Sequence, residues 1–150
     1  MIPHGAQGAG HLATRIAMDL IPKATDAYVI SDLGMIAGLI GLVAQDYDRA
    51  AEVLTSDLER LRGLFAQAEP LIADPDLKAR LAAARELRPV SLRISALSAD
   101  ADLALKVLID LHAAVENAVD AGEPWAPGLD REIWTYLDEY VAKRTYNAAF

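Results

Sequence analysis

The 150-residue sequence contains no cysteine. This absence excludes disulfides, zinc thiolates, iron–sulfur clusters and a cysteine nucleophile. Positive charge is also scarce, because 14 lysines and arginines stand against 22 acidic residues and leave a net charge of −8. A nucleic-acid binder must neutralise phosphates with cations, and an acidic surface is repelled by anionic lipids. The composition therefore argues against partners such as nucleic acid or a membrane surface.

Two further patterns are missing from the sequence. No segment shows sustained alternation of apolar and polar residues, which indicates that the chain forms no sheet. The opening residues, MIPHGAQGAGHLATR, lack a basic stretch followed by an apolar one. This start does not resemble a secretory signal, and we therefore expect a cytoplasmic protein.

The few prolines and glycines fall mostly between segments rich in alanine and leucine. We predict that residues 1–10 form a flexible tail and that residues 11–150 form a single helical domain. Apolar residues recur every three or four positions, with no proline from 27 to 69, which predicts long helices over about 26–69 and 91–120. The predicted fold class is all-α, an antiparallel helical bundle of about five helices.

Residues 33–44, LGMIAGLIGLVA, carry no charge but three glycines. Glycine lowers helix stability by about 0.5–1 kcal/mol relative to alanine, so three in one helix need a compensating reason. Gly34 and Gly38 share a helix face on which another helix can approach closely. The whole circumference is apolar, so we expect this segment to form the centre of the fold, partly covered by a second subunit. Gly38→Leu should then destabilise the fold by overpacking.

A membrane span needs about 20 mostly apolar residues, whereas the run between Asp32 and Asp46 holds thirteen. We therefore expect a soluble protein with no membrane partner. A second interpretation of the same run is a pocket for a small apolar ligand in the bundle core. The residues that would leave the space, or allow close packing, are Gly34, Met35, Gly38 and Gly41.

Five cations concentrate in sixteen residues of this acidic chain, against Glu86 alone. They form a candidate patch for an anion or an acidic partner. The alternative is that they pair with acidic helix faces of the same molecule. The five residues are Lys78, Arg80, Arg85, Arg88 and Arg93.

His112 lies one helical turn before Glu116, with Asp110 nearby. A histidine on a helix is typical of phosphotransfer proteins, but the surrounding charges here are acidic rather than basic. A Glu–His pair supplies only part of a metal site, and no HExxH or repeated ExxH motif supplies the rest. We expect no metal and no cofactor, and we favour a structural histidine that is hydrogen-bonded to Glu116.

Three segments are similar to parts of small helical proteins of alphaproteobacteria that have no assigned function. They are QDYDRAAE, SLRISALSADADLALKVLIDLHAAVE and the closing REIW and AKR. The resemblance implies a helical, cytoplasmic bacterial protein. It implies no activity, and no functional residue is carried over from it.

The sequence offers no convergent catalytic group. Paired carboxylates such as Asp46 and Asp48 are two residues apart and lie on different helix faces, so they cannot act together as acid and base. We therefore expect a protein that is not an enzyme. Its expected role is that of an interaction or regulatory module that acts through protein–protein contacts, as a homodimer and with a possible further protein partner.

Overall fold

The computed structural model describes residues 4–146, and every regular element in this range is helical. Helix α1 spans Gly5–Arg15 and continues into a π-helical turn and a short 3-10 turn, Ile16–Leu20 and Ile21–Lys23. The remaining helices are α2 (Ala27–Ala68), α3 (Pro75–Arg85), α4 (Ile94–Asp120) and α5 (Ala126–Ala142). The predicted all-α fold class and the two long helices are confirmed.

The helices begin and end where local chemistry dictates. The Asp26 carboxylate accepts hydrogen bonds from the backbone N–H groups of Tyr28 and Val29 and so caps α2. Asp74 caps α3 in the same way, with Pro75 at its first position, where no N–H is required. Gly122 follows α4 with a φ of 77°, a conformation that glycine adopts without steric cost.

Residues 5–10, which the sequence analysis assigns to a flexible tail, are helical, because α1 begins at Gly5. An added Cβ at this glycine would lie 2.8 Å from the Tyr47 ring, so the chain packs closely here. Tertiary packing has overridden the weak helix propensity of a glycine-rich segment. The single predicted domain also divides into two compact units. The first comprises the residues up to Ala50 together with those from Thr145 on, and the second comprises Ala51–Arg144.

The second unit holds a hydrophobic core to which the second half of α2 and helices α3, α4 and α5 all contribute. The side chains of Leu61, Phe65 and Leu111 are completely buried in it. One charged residue is buried as well, since Asp57 is only 2% exposed. The other principal members of the core are Leu58, Leu64, Leu81, Leu97, Leu108, Val115, Ile133 and Tyr136.

Asp57 is neutralised by two cations from the end of α5. Its carboxylate lies 3.2 Å from the Lys143 ammonium and 2.7 Å from the Arg144 guanidinium. The same guanidinium stacks at 3.4 Å from the Tyr140 ring centroid. A buried charge is tolerated only when it is paired, so these contacts fix the end of α5 against α2 within this unit.

The first unit buries much less. Its buried residues in the described range are Ala13, Ala37 and Gly41. Ala37 and Gly41 are one turn apart, on the face of α2 that is covered. The prediction that residues 33–44 form the centre of the fold is therefore wrong for this chain, because within one molecule most of the large apolar side chains in the segment lack a covering neighbour.

Candidate functional site

The most unusual surface of the protein lies on the first half of α2. Val29, Ile36 and Val43 follow one another at seven-residue intervals, and Leu39 lies between the last two. These four side chains are 47%, 44%, 61% and 56% exposed, respectively. Spacing of this kind places them on a single helix face. We call this surface the α2 apolar face; its exposed members are Tyr28, Val29, Met35, Ile36, Leu39, Val43 and Tyr47.

Charge is nearly absent from this surface. Asp32 lies on the α2 apolar face, one turn after Tyr28 and one turn before Ile36. Asp46 lies near its other end, where its carboxylate accepts a hydrogen bond of 2.8 Å from the Tyr146 hydroxyl. Hydrogen bonding to Asp46 is the main cause that raises the pKa of Tyr146. No lysine or arginine occurs between residues 27 and 48.

By length and composition alone, α2 could cross a membrane, and the most apolar 18-residue window in it is only 6% buried. The same test is passed by core helices of soluble proteins when they are buried, and by signal sequences near an amino terminus. The low burial of this window distinguishes it from the core helix of a soluble protein, which is mostly buried within its own chain. The apolar side chains therefore meet water unless another molecule covers them.

Two of the glycines predicted to line a ligand pocket have no packed neighbour in the described part of the chain. An added Cβ at Gly34 or Gly38 would meet no atom within 4 Å, so both positions face open space. Met35 is 60% exposed, and only Gly41 of the four predicted residues is buried. Gly34, Met35 and Gly38 therefore belong to a surface of the first unit, and Gly41 lies on the buried side of the same helix.

Two of the five cations in the predicted basic patch form ion pairs within the second unit. Arg80 pairs with Asp110, and this hydrogen bond is the main cause that raises the pKa of its guanidinium. Arg85 lies 2.6 Å from the Glu69 carboxylate. Both contacts join α3 to a neighbouring segment, as the intramolecular alternative predicts.

The other three cations of the patch are held more loosely. Arg88 donates to the carbonyls of Arg85 and Leu87, and its nearest carboxylate is that of Glu86 at 3.9 Å. Lys78 and Arg93 are exposed and form no ion pair with any residue in the described range. The five cations thus do not act as one uniform anion site.

His112 lies on α4 in the second unit, and its side chain faces α5. Its Nε2 atom is 3.5 Å from the Asp130 carboxylate and 3.7 Å from that of Glu116. The predicted hydrogen bond to Glu116 is therefore not formed, and Nε2 has no hydrogen-bond partner within residues 4–146. The imidazole meets the Trp134 ring edge-on, with centroids 5.3 Å apart. Asp130 and Trp134 belong to another helix, and no sequence signal placed them beside the histidine.

This environment suits a structural role better than group transfer. The His112 side chain is only 19% exposed, and its Nε2 atom is buried. A phosphoryl carrier must present a ring nitrogen to its partner, and here two carboxylates lie within 4 Å of Nε2. Within residues 4–146, no group of three or more histidine, aspartate or glutamate side chains is arranged to hold a metal ion.

We compared the chain with protein-family models, with curated proteins and with solved structures, and none of them matches it.

Proposed function

We propose that this protein is a cytoplasmic, non-enzymatic interaction module that acts as a homodimer, with the α2 apolar face as the contact between the two copies. The observation that carries the proposal is the exposure of seven large apolar side chains on one side of a single helix. Soluble monomers rarely leave a contiguous apolar patch larger than a few hundred Å². Covering this face with protein removes that surface from water.

The spacing on the face supports a helical partner. Helices interlock side chains along a seam where apolar residues recur at seven-residue intervals with one further apolar residue between them. The interval from Ile36 to Val43 has this pattern through Leu39, whereas Asp32 takes the equivalent position between Val29 and Ile36. Alongside the seam, Tyr28, Met35 and Tyr47 add the large side chains that anchor many interfaces. A second copy supplies a surface of identical length and spacing, as a two-fold interface requires.

Charge supports a protein partner over the lipid interior. Asp32 would lie inside any membrane span that includes residues 27–44, at a cost of roughly 2.5–3.5 kcal/mol on biological insertion scales. At a protein interface the same carboxylate can reach water or a cation of the other copy. Neither end of the apolar run carries the cluster of cations that fixes a membrane helix in one orientation.

The test is the solution mass of the purified protein. Light scattering should give twice the 16.1 kDa of a single chain. The double variant Ile36→Glu with Leu39→Glu should return the mass to that of one chain, because two carboxylates at the centre of the seam cannot be desolvated together. Both side chains are exposed, so the variant should keep its helical circular dichroism.

Ile109→Glu is the matched control, since this residue is 67% exposed on α4 in the other unit. It should leave the mass unchanged. A wild-type protein that stays monomeric at micromolar concentration contradicts the proposal. Recovery of the expressed protein in the membrane fraction, resistant to carbonate and high salt, also contradicts it and identifies lipid as the covering phase.

A further inference from the structure

A second apolar surface lies in the other unit, where α3 and α4 leave an open groove. Its volume is about 220 Å³, and its walls are almost entirely apolar. Leu103, on the α4 side, is 52% exposed. We call this surface the α3–α4 groove; it is lined by Arg80, Ala83, Ala84, Leu87, Leu103 and Val107.

The segment that follows α3 extends this surface through Leu87, which belongs to both. This segment comprises residues 87–93. Two of its apolar side chains are largely exposed to water, since Val90 and Leu92 are 97% and 73% exposed. Arg88 and Arg93 lie in the same segment, which contains no acidic residue. The segment is therefore apolar and positively charged in a chain whose net charge is −8.

Within segment 87–93, Arg88 and Arg93 are the cations that lie beside the exposed apolar side chains. Asp76 and Asp110 are the carboxylates paired with Arg80, which therefore acts as a wall of the groove rather than as a free charge. The nearest carboxylate to Arg88 is 3.9 Å away, and Arg93 forms no ion pair within residues 4–146. Exposed positive charge, at Arg93 and on the loosely paired Arg88, lies beside exposed apolar side chains and complements an acidic, apolar ligand.

We propose that the α3–α4 groove and segment 87–93 together form a docking site for an acidic amphipathic helix of a partner protein. The apolar side of that helix inserts side chains into the groove, and its carboxylates face Arg88 and Arg93. A concave groove favours a peptide over a membrane, because a flat lipid surface would leave the groove unfilled. This site lies in the second unit and does not depend on the homodimer.

The probe is a fluorescein-labelled synthetic helix with leucine at positions i, i+3, i+4 and i+7 and glutamate elsewhere. The control peptide has lysine in place of glutamate. Fluorescence polarisation at low salt should show the acidic peptide binding roughly tenfold more tightly or better, with the difference shrinking as salt is added. Leu103→Asp should abolish binding, and circular dichroism should show that this half-exposed position tolerates the change.

Arg93→Glu should weaken binding of the acidic peptide severalfold. Arg131→Glu, which reverses one exposed cation on α5, should not change it. Equal binding of the two peptides, or unchanged binding by Arg93→Glu, overturns the proposal. Two other results overturn it by naming another occupant: binding to phosphatidylglycerol vesicles that Arg93→Glu abolishes, or self-association that Leu103→Asp abolishes.

Discussion

Both halves of helix α2 carry large apolar side chains, but the two sets have opposite surroundings. In the second half, Leu61, Leu64 and Phe65 are completely buried by α3, α4 and α5 of the same unit. In the first half, Leu39 and Val43 are 56% and 61% exposed. The apolar face of a helix is stabilising only where something covers it, so one half contributes to the fold of the single chain and the other remains available for a second molecule.

The largest difference between the halves should appear when one large side chain is truncated in each. Phe65→Ala should lower the free energy of unfolding by about 3–5 kcal/mol, because it leaves a cavity in a packed core. Leu39→Ala should change it by less than about 0.5 kcal/mol in an isolated chain, since this side chain already faces water. Urea denaturation measures both values.

Protein concentration sharpens that comparison. A loss at Leu39 that grows as the protein is concentrated indicates that a second copy covers the first half of α2, since dimer stability depends on protomer concentration. A loss at Leu39 equal to that at Phe65 at every dilution would contradict the division of α2 into a buried and an exposed half.

The second half of α2 also carries the buried carboxylate of Asp57, which has no counterpart in the first half. Replacing both Lys143 and Arg144 by methionine should cost about 3 kcal/mol, because the carboxylate is then buried without a cation. Adding Asp57→Asn to that variant should restore much of the loss, since the uncompensated charge disappears. The matched control replaces the exposed cations Lys106 and Arg131 by methionine and should leave the urea midpoint almost unchanged.

Tyr136 tests a smaller consequence of burial in the second unit. Its hydroxyl is buried with no hydrogen-bond partner in the described range, and burial raises the pKa of the phenol well above its ordinary value near 10. Because the pKa of Tyr136 is higher in the folded than in the unfolded state, its contribution to the free energy of unfolding is complete below about pH 10 and is lost as pH rises further. Tyr136→Phe should stabilise the protein by roughly 1 kcal/mol at neutral pH.

Denaturation at alkaline pH separates the effect of phenol ionisation from the effect of the unpaired hydroxyl group. The wild-type protein should lose stability more steeply above pH 10 than Tyr136→Phe, whose side chain cannot ionise. Tyr140→Phe is the control, because the Tyr140 ring is only half-buried. Parallel stability curves for wild type and Tyr136→Phe across this range would contradict the effect of burial on this phenol.

The sequence predicted the positions of the helices better than it predicted which neighbours cover each helix face. Three- and four-residue spacing identified Leu58, Leu61 and Phe65 as one stripe, and the structure buries all three. Periodicity states which side of a helix is apolar but not which neighbour covers it. For that reason residues 33–44, the most apolar run in the chain, were expected at the centre and instead lie in the first unit with most of their large side chains exposed.

The candidate sites show the same limit. Glu116 was predictable as a neighbour of His112 because i and i+4 side chains meet on a helix. Asp130 and Trp134 were not, because their proximity arises from the packing of α5 against α4. Likewise, the sequence places five cations in one short segment. Only tertiary contacts distinguish Arg80 and Arg85, which are paired, from Arg93, which forms no ion pair within residues 4–146.

The smallest expected effect comes from a pair of glycines, one in each half of α2. An added Cβ at Gly38 or at Gly63 would meet no atom within 4 Å. Alanine at either position should therefore raise the free energy of unfolding by about 0.5–1 kcal/mol, because glycine loses more backbone entropy in a helix. Urea denaturation of the two single variants measures the gain.

Leucine at the same two positions turns the pair into a test of what lies beside each half of the helix. In a single chain both leucines face open space, so Gly38→Leu and Gly63→Leu should behave alike and neither should overpack. If a second copy approaches α2 closely at Gly38, only Gly38→Leu should lose stability and dimer mass, as the sequence alone predicted for this position. A loss confined to Gly63→Leu would instead place an unrecognised contact on the second half of α2 and contradict the comparison between the halves.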